Sequence, residues 1–455
     1  MGDFVKQIFE FSENLISGML PFMFLIVCGV YLTVKSGFFQ FKLLPLSIKH
    51  ALNGIFSRKS TKEGISPFQA ACTALSATVG TGNIAGVAGA LALGGAGAVF
   101  WMWISALAGM AVKSAEIILA LRFDEKKEGN SVGGPMYYIK NGLPKSAAPL
   151  AAIFSISGIF SAFFSGNVTQ TGSAIASINA GTGVKLILGI IFAAATAAVI
   201  IGGVRRIGKF TEKIVPFMAL IYILMTFGVI AVNNNSLPRV FGMIFEGAFK
   251  PSAVTGGAIG SIITAAVTGA SRGVFSNEAG LGTSAIAHAS AIENEGVKQS
   301  LYGIFEVFAD TVVICTLTAL TILCSGVNIE YGKAASTELA VSALSCVYGK
   351  SALILLALMM CLFGLSSVIG WGLYGVACSG FLFGKKGERA FIFIYPLFCI
   401  VGAVCRVDTA WRLSAFFNGI MLCVNVFAVL ILGDTAAKEM RGFKKRGNTN
   451  DKGKN

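Results

Sequence analysis

The chain has 455 residues, of which 55% are hydrophobic and 13% are charged, and its formal net charge is +14. A soluble domain carries about 25% charged residues, so the composition excludes a soluble protein and predicts that lipid surrounds most of the chain. The two histidines and ten cysteines show no metal-ligand spacing, which excludes a metal centre built from clustered side chains.

Eleven apolar stretches are long enough to cross a bilayer, which takes about 20 residues. The chain before the first stretch, Gly2–Glu13, is predicted to be an interfacial helix and not a signal peptide, because acidic residues lie near its one lysine. We therefore predict an all-α polytopic membrane protein with about eleven transmembrane helices, at 15–35, 67–92, 96–121, 151–178, 185–204, 212–232, 252–275, 301–325, 351–378, 388–405 and 412–433.

The positive charges predict the orientation of the chain. If the chain starts outside, 27 of the 36 Lys and Arg residues lie in cytoplasmic segments and eight in outer ones. This asymmetry follows the positive-inside rule. We expect a plasma (inner) membrane protein with its N-terminus outside and its C-terminus in the cytoplasm. The basicity then reflects topology, and no nucleic-acid partner is expected.

The second predicted span contains TVGTGNIAGVAG, Thr78–Gly89, in which four of twelve residues are glycine. Each glycine costs about 1 kcal/mol against alanine inside a helix, and non-helical backbone persists in lipid only around a cavity. We predict an unwound turn whose carbonyls bind a small cation and whose amides bind a carboxylate. Close helix packing through Gly82 and Gly86 is the alternative. The predicted substrate contacts here are Thr78, Thr81, Gly82 and Asn83, of which Asn83 is also a predicted cation ligand.

Uncharged polar side chains share one face of the fourth predicted span, namely Asn167, Gln170 and Thr171. Such side chains either bind the ammonium or carboxylate of a substrate or hydrogen-bond between helices. Gln170 is the predicted substrate-binding residue among them.

Glycines also interrupt the seventh predicted span, Ser252–Phe275. If the first span is set aside, the two interrupted spans are the first and sixth of the remaining ten. Corresponding interruptions in two halves predict an inverted-repeat transporter with its site at the bilayer midplane. The predicted substrate contacts in this span are Thr268, Gly269 and Ser271. The following Ser276-Asn277-Glu278 is interpreted more simply as the capped start of a cytoplasmic helix.

This reasoning divides the chain into six parts. They are an N-terminal interfacial and extra transmembrane helix (1–35), a cytoplasmic connection (36–66), a first five-helix repeat (67–232), an extracellular connection (233–251), a second five-helix repeat (252–433) and a basic cytoplasmic tail (434–455).

Acidic residues within predicted spans are costly and often functional. Asp310 either completes a cation site with Asn83 or pairs with a buried partner, Lys113 or Arg272. Lys113 and Glu116 are interpreted as a gate or as a pair that reaches towards the interface.

The ninth span contains FGLSSVIGWGLY, Phe363–Tyr374. Ser366 and Ser367 either bind a cation or hydrogen-bond back to their own helix. Trp371 needs a partner for its N–H. It is either a pocket wall that leaves room for a small substrate or a packed core aromatic.

Three of these motifs carry a family resemblance. TVGTGNIAGVA and FGLSSVIGWGLY resemble the first and eighth core helices of sodium-coupled amino-acid transporters of the leucine-transporter fold. RGVFSNEAGLGTSAIAHA (Arg272–Ala289) and GGPMYYI (Gly133–Ile139) are similar to the alanine or glycine:cation symporter family. The resemblance implies an extra N-terminal helix and a 5+5 inverted-repeat core with broken first and sixth helices. It also implies a sodium site made by the Ser366 and Ser367 hydroxyls with the carbonyls of Ser76 and Val79.

The predicted function is import of a small neutral amino acid with sodium, by alternating access. Alanine is the first candidate substrate, followed by glycine and serine. Sodium is the expected co-transported ligand, Asp310 is included among its candidate ligands, and no organic cofactor or enzymatic activity is expected. The sequence does not fix the oligomeric state. A proton-coupled symporter of the same fold and, from another class, an amino-acid or ion channel are the alternatives.

Overall fold

The computed structural model describes residues 15–56, 64–127, 130–178, 180–257, 261–293, 295–333, 335–405 and 407–451, so the predicted helix Gly2–Glu13 lies outside the described residues. A short antiparallel hairpin, β1 (Glu125–Lys127) with β2 (Asn130–Val132), interrupts an otherwise helical chain. The helices are α1 (Leu20–Ser36), α2 (Phe39–Phe56), α3 (Pro67–Thr78), α4 (Ala85–Gly94), α5 (Gly97–Arg122), α6 (Pro135–Gly142), α7 (Ala148–Ser161), α8 (Thr169–Ala176), α9 (Thr182–Ile200), α10 (Gly203–Val232), α11 (Leu237–Phe249), α12 (Pro251–Val254), α13 (Ile262–Asn277), α14 (Thr283–Ala289), α15 (Gly296–Val307), α16 (Thr316–Cys324), α17 (Thr337–Tyr348), α18 (Ser351–Ile394), α19 (Phe398–Val404) and α20 (Val407–Asp451).

Seven helical runs in the described ranges are long and apolar enough to cross a membrane, or nine if two bent helix pairs each count as one span. The count is lower than eleven partly because α18 and α19 form one run, Ser351–Val404, around a kink at Gly384. In addition, α13 is only 16 residues long. The structure is thus a multi-pass helical membrane protein, and it is consistent with eleven spans without fixing that number.

The segment predicted as the connection 36–66 contains a helix of its own. Gly37 ends α1 in the left-handed conformation, with φ 70°, which glycine adopts without strain. The chain then turns by 86° into α2. The exposed side chains of α2 include Phe41, Leu46 and Leu52, which is typical of a helix that lies on a membrane surface.

The start of α3 is fixed by a capping box. The Ser66 hydroxyl accepts a hydrogen bond from the Gln69 amide at 3.1 Å, and the Gln69 side chain accepts one from the Ser66 amide at 3.0 Å. Pro67 occupies the first helical position, where a missing N–H costs nothing. This cap anchors the half-helix that leads to the unwound turn.

Helix α5 lies at the centre of the fold. It packs against α1, α13 and α15, and its buried residues include the charged Lys113 and Glu116. The last helix, α20, packs against α1 and α7. The tail predicted at 434–455 therefore begins as a continuation of α20, which reaches Asp451.

Candidate functional site

The chain is unwound between α3 and α4, as the glycines predict. Val79 and Gly80 are extended, a single 3-10 turn follows at Thr81–Asn83, and the two half-helices meet at 55°. The Gly80 amide donates to Asn83 Oδ1 at 2.8 Å, instead of to the Ser76 carbonyl four residues back. The Ser76 carbonyl is thereby released from its helical bond with the Gly80 amide, at the start of the unwound turn.

Gln170 holds this turn from α8. Its Oε1 accepts from the Thr81 amide at 3.0 Å and from the Thr81 hydroxyl at 2.8 Å. A methyl group on Gly80 would collide with Gln170 Oε1 and with Ser367 Oγ, so glycine is needed here for close approach. Gln170 thus lies at the unwound turn and ties α8 to it. Asn167, by contrast, donates to the Tyr395 carbonyl at 2.7 Å.

The two serines of α18 have different surroundings. Ser366 Oγ donates back to the Phe363 carbonyl at 2.9 Å and lies beside the sulfur of Met218. Ser367 Oγ is buried next to Gly80 and has no hydrogen-bond partner among the described residues. An unpaired buried hydroxyl costs free energy, so Ser367 has the geometry of a ligand and Ser366 that of a helix-bonded side chain. The Thr78 hydroxyl, like that of Ser366, bonds back to its own helix, at Leu75, at 3.2 Å.

Asp310 accepts hydrogen bonds from three elements. It lies in a π-helical segment, Phe308–Cys315, between α15 and α16. Its Oδ1 accepts from Asn83 Nδ2 at 2.7 Å, and its Oδ2 accepts from the hydroxyls of Ser276 at 2.7 Å and Thr311 at 2.9 Å. The structure thus brings Asp310 to Asn83, whereas Lys113 pairs with Glu306 and Arg272 stacks on Trp411.

The second break lies elsewhere than the sequence predicts. The predicted interrupted span Ser252–Phe275 does contain a break between α12 and α13, but the break that reaches the site is at 278–282, between α13 and α14. There Glu278, Gly280 and Gly282 all have positive φ, of 55°, 87° and 75°. The interpretation of Ser276-Asn277-Glu278 as the start of a helix was wrong, because these residues end α13 and begin the break.

The three residues predicted from that span lie on continuous helix. Gly269 packs against the backbone of Ala98 on α5, where a Cβ would not fit. Thr268 and Ser271 instead line a cavity of about 650 Å³ between α1, α13 and α20, which we call the α13–α20 cavity. Arg272 lines the same cavity from within α13.

Trp371 is buried between the second break and Gly166, in the π-helical segment Ala162–Val168 that joins α7 to α8. Its indole contacts the Glu278 carboxylate, which also accepts from the Thr283 hydroxyl at 2.6 Å. The ring packs closely over Gly166 and meets Tyr374 edge to face at 5.5 Å. The indole therefore lies at the second break rather than against the unwound turn.

A buried polar network joins the start of α3 to the helices on both sides of the second break. Lys113 Nζ donates to the Asn277 carbonyl at 2.7 Å and lies 3.4 Å from Glu306 Oε2. Glu306 Oε1 is 2.7 Å from His288 Nε2, on α14. Gln299 contacts His288 Nδ1 at 2.7 Å and donates to the Pro67 carbonyl, at the start of α3, at 3.2 Å. The network thus connects α3, α13 and α14 through α5 and α15.

Comparison with known proteins identifies the family. The profile of the sodium:alanine symporter family matches residues 2–455. The chain is 39% identical to the sodium/alanine symporter AgcS of Methanococcus maripaludis, over 97% of both chains. It is 38% identical to the probable sodium/glutamine symporter GlnT of Bacillus subtilis, over 98% of this chain and 93% of that protein. The chain belongs to the sodium:alanine symporter family.

This symporter-family chain also shares its fold with a solved structure of low sequence identity. The crystal structure of MhsT in complex with L-phenylalanine matches 84% of this chain and 97% of that one, with a TM-score of 0.55 and 14% identity. The likeness confirms the predicted leucine-transporter-like fold. The end of α13, just before the break at 278–282, lies against the turn at Thr81–Asn83, since Asn83 donates to the Ser276 hydroxyl at 2.9 Å.

The candidate site gains two residues that the sequence analysis did not select, Ser276, which contacts Asn83 and Asp310, and Glu278, which contacts Trp371. One signal was available, namely two glycines spaced by one residue after an acidic residue, as in Glu278-Ala-Gly-Leu-Gly282. This spacing parallels Gly80-Thr-Gly82 in the first break.

Proposed function

We propose that this protein imports a small neutral amino acid together with sodium. The observation that carries the proposal is the pairing of the unwound α3–α4 turn with the unbonded hydroxyl of Ser367. Both lie in buried surroundings where a charged ligand needs compensating dipoles. Membership of a sodium:alanine symporter family supports the same ion and substrate class.

Sodium is assigned to the space between α3 and α18. The Ser76 carbonyl, released by the hydrogen bond between Gly80 and Asn83, supplies a hard oxygen ligand together with the carbonyl of Val79. Ser367 supplies a hydroxyl from the opposite side. Hard oxygen ligands without a thiol or imidazole suit an alkali cation. Ser366 is the weaker candidate for a sodium ligand, because its hydroxyl already donates to the Phe363 carbonyl.

The substrate is assigned to the turn itself and the space beside it. The turn at Thr81–Asn83 precedes α4, and the N-terminal end of a helix attracts a carboxylate. Because the Thr81 and Asn83 amides already donate to Gln170 Oε1 and to the Gly80 carbonyl, we assign the Gly82 amide as the carboxylate donor. Phe275 closes this space, since its ring lies 3.4 Å from where a Cβ on Gly82 would stand. The close approach leaves room for a small side chain, so we assign alanine, glycine or serine to the site.

Asp310 is assigned to the same cation-binding region. Its carboxylate is fully buried and bonded to Asn83, Ser276 and Thr311, with no cationic side chain within salt-bridge distance among the described residues. A buried carboxylate without a cation is costly. A transported cation beside Asn83 or a bound proton compensates it. We assign the cation as sodium and keep the proton as the rival tested below.

The orientation follows from the lysines and arginines. We assign the plasma (inner) membrane, with the N-terminus outside and the C-terminus in the cytoplasm. The α13–α20 cavity then opens outwards, and the network of Lys113, His288, Gln299 and Glu306 lies on the cytoplasmic side of the unwound turn.

The direct test is uptake by the purified protein in proteoliposomes. Labelled alanine, glycine and serine are offered with either sodium or choline outside. We expect accumulation of at least one of the three only when sodium is outside. Equal uptake in choline would overturn sodium coupling, and ionic current far exceeding substrate flux would favour a channel.

A further inference from the structure

The α13–α20 cavity contains a guanidinium that no acid neutralises. Arg272 lies in α13 and stacks over the ring of Trp411, with its Cζ 4.9 Å from the ring centroid. In the part of the chain that the structure describes, no carboxylate pairs with it. A cation at membrane depth usually faces a partner or a ligand pathway. Arginine also binds carboxylates through two parallel hydrogen bonds.

Two further polar groups in this cavity lack hydrogen-bond partners. Ser271 Oγ is buried and unbonded, and so is Asn418 Oδ1, among the described residues. Asn418 lines the cavity, and its amide nitrogen donates to Ser165 Oγ at 3.1 Å, which leaves its oxygen as a hydrogen-bond acceptor without a partner. The cavity therefore combines two donors suited to a carboxylate with one acceptor suited to an ammonium group.

The cavity adjoins the proposed transport site. Phe275 lines the cavity and also packs over Gly82 of the unwound turn. Its ring packs against Trp411 with the two planes tilted by 37° and the centroids 4.6 Å apart, and Arg272 lies over the same indole. A volume of about 650 Å³ lies within the usual range for small-molecule sites, about 300–1,000 Å³. An amino acid in this cavity would be separated from the unwound turn by the Phe275 ring.

We propose that the α13–α20 cavity is a second amino-acid site, in which Arg272 and Ser271 bind the carboxylate and Asn418 accepts from the ammonium group. This inference rests on the proposed function for the identity of the substrate. The site captures the zwitterion before it passes Phe275 to the unwound turn. Recognition at this site depends on the ammonium and carboxylate groups of the amino acid and not on its side chain.

The test measures how many alanine molecules the purified, full-length protein binds. Equilibrium dialysis with labelled L-alanine in saturating sodium is expected to give two molecules per chain for the natural sequence and one for Arg272→Gln. In the natural protein, alaninamide, which lacks the carboxylate, should not displace the second bound alanine, which is the one that Arg272→Gln no longer binds. Ser271→Ala is the milder variant, and Arg239→Gln, which changes an arginine outside the cavity, is the matched control.

Transport kinetics give a second readout. Loss of a charge-assisted contact at the capture site is expected to raise the KM for alanine roughly tenfold in Arg272→Gln, with kcat within about twofold. Ser271→Ala should raise KM by a smaller factor in the same direction, and Arg239→Gln should leave it unchanged. One alanine per chain in the natural protein, or an unchanged KM in both cavity variants, would overturn the second site. If the natural protein shows no sodium-dependent alanine binding at all, the proposed function itself fails.

Discussion

Two adjacent serines show how far a residue type alone predicts a role. In the sequence, Ser366 and Ser367 are equivalent candidates for a sodium site. In the structure, Ser366 satisfies its hydroxyl within its own helix, whereas Ser367 Oγ is buried beside Gly80 without a partner. The difference arises from the roughly 100° rotation between successive helical residues, which directs one side chain to Met218 and the other to the unwound turn.

This contrast gives a matched pair of variants. Ser367→Ala removes a proposed sodium ligand, whereas Ser366→Ala removes a hydroxyl that the helix already uses. We expect Ser367→Ala to raise the sodium concentration for half-maximal uptake roughly tenfold, the equivalent of about 1.4 kcal/mol. Ser366→Ala should change it by less than about threefold. The measurement is alanine uptake as a function of external sodium, and equal effects of the two substitutions would contradict the assignment.

Asp310 distinguishes sodium from the proton as the coupling ion. Asp310→Asn keeps the shape of the side chain and removes its charge. If Asp310 helps to bind sodium, the variant should need roughly tenfold more sodium at every pH. If Asp310 carries a transported proton, the natural protein should instead lose uptake as external pH rises, and the variant should lose that dependence. Uptake is measured from pH 5.5 to 8.5 at fixed sodium concentrations.

At the scale of helices, the position of one break was predicted correctly from the sequence and that of the other was not. Gly80 and Gly82 lie in the middle of an apolar span, and close helix packing does not explain the polar Thr81 and Asn83 beside them. The glycines at 256 and 257 lie near the start of a span, in a connection between α12 and α13. Glu278 follows Ser and Asn, residues typical of helix caps, and only the structure shows that it has positive φ.

The buried network of Lys113 and Glu306 couples several helices, and its partners are distant in sequence. Lys113 is fully buried, as is Glu306. An isolated buried charge is strongly unfavourable, so removing one partner of such a pair typically costs about 3–5 kcal/mol. Removing both charges leaves neither member of this pair as an unpaired ion. The stability of the half-helix junction therefore depends on the pair more than on either residue.

The corresponding prediction concerns stability. Lys113→Met alone should lower the midpoint of thermal aggregation in detergent markedly. The double variant Lys113→Met with Glu306→Gln should recover part of that loss, since Gln keeps a hydrogen bond to His288. Lys333→Met is the control, because Lys333 pairs with Glu330 at an exposed site, where ion pairs are worth about 0–1 kcal/mol. A double variant less stable than Lys113→Met alone would refute this account.

For the whole molecule, the charge distribution predicts which side each connection faces. Cys346 is exposed and lies on α17, which the proposed topology places outside. In a Cys405→Ser background, a membrane-impermeant maleimide should label Cys346 on intact cells, and Cys346→Ser should abolish that label. Labelling that requires permeabilised cells would mean that the orientation is reversed.

The central claim is that sodium entry drives amino-acid accumulation. One sodium ion entering across about 100 mV gains roughly 2.3 kcal/mol, and a tenfold gradient adds about 1.4 kcal/mol. Together they sustain accumulation on the order of 500-fold for a neutral substrate. The most direct measurement is alanine accumulation in proteoliposomes under an imposed sodium gradient, with and without an inside-negative potential. We predict that accumulation rises with the sodium gradient and with the inside-negative potential. Accumulation that does not depend on one of these two would contradict electrogenic sodium symport.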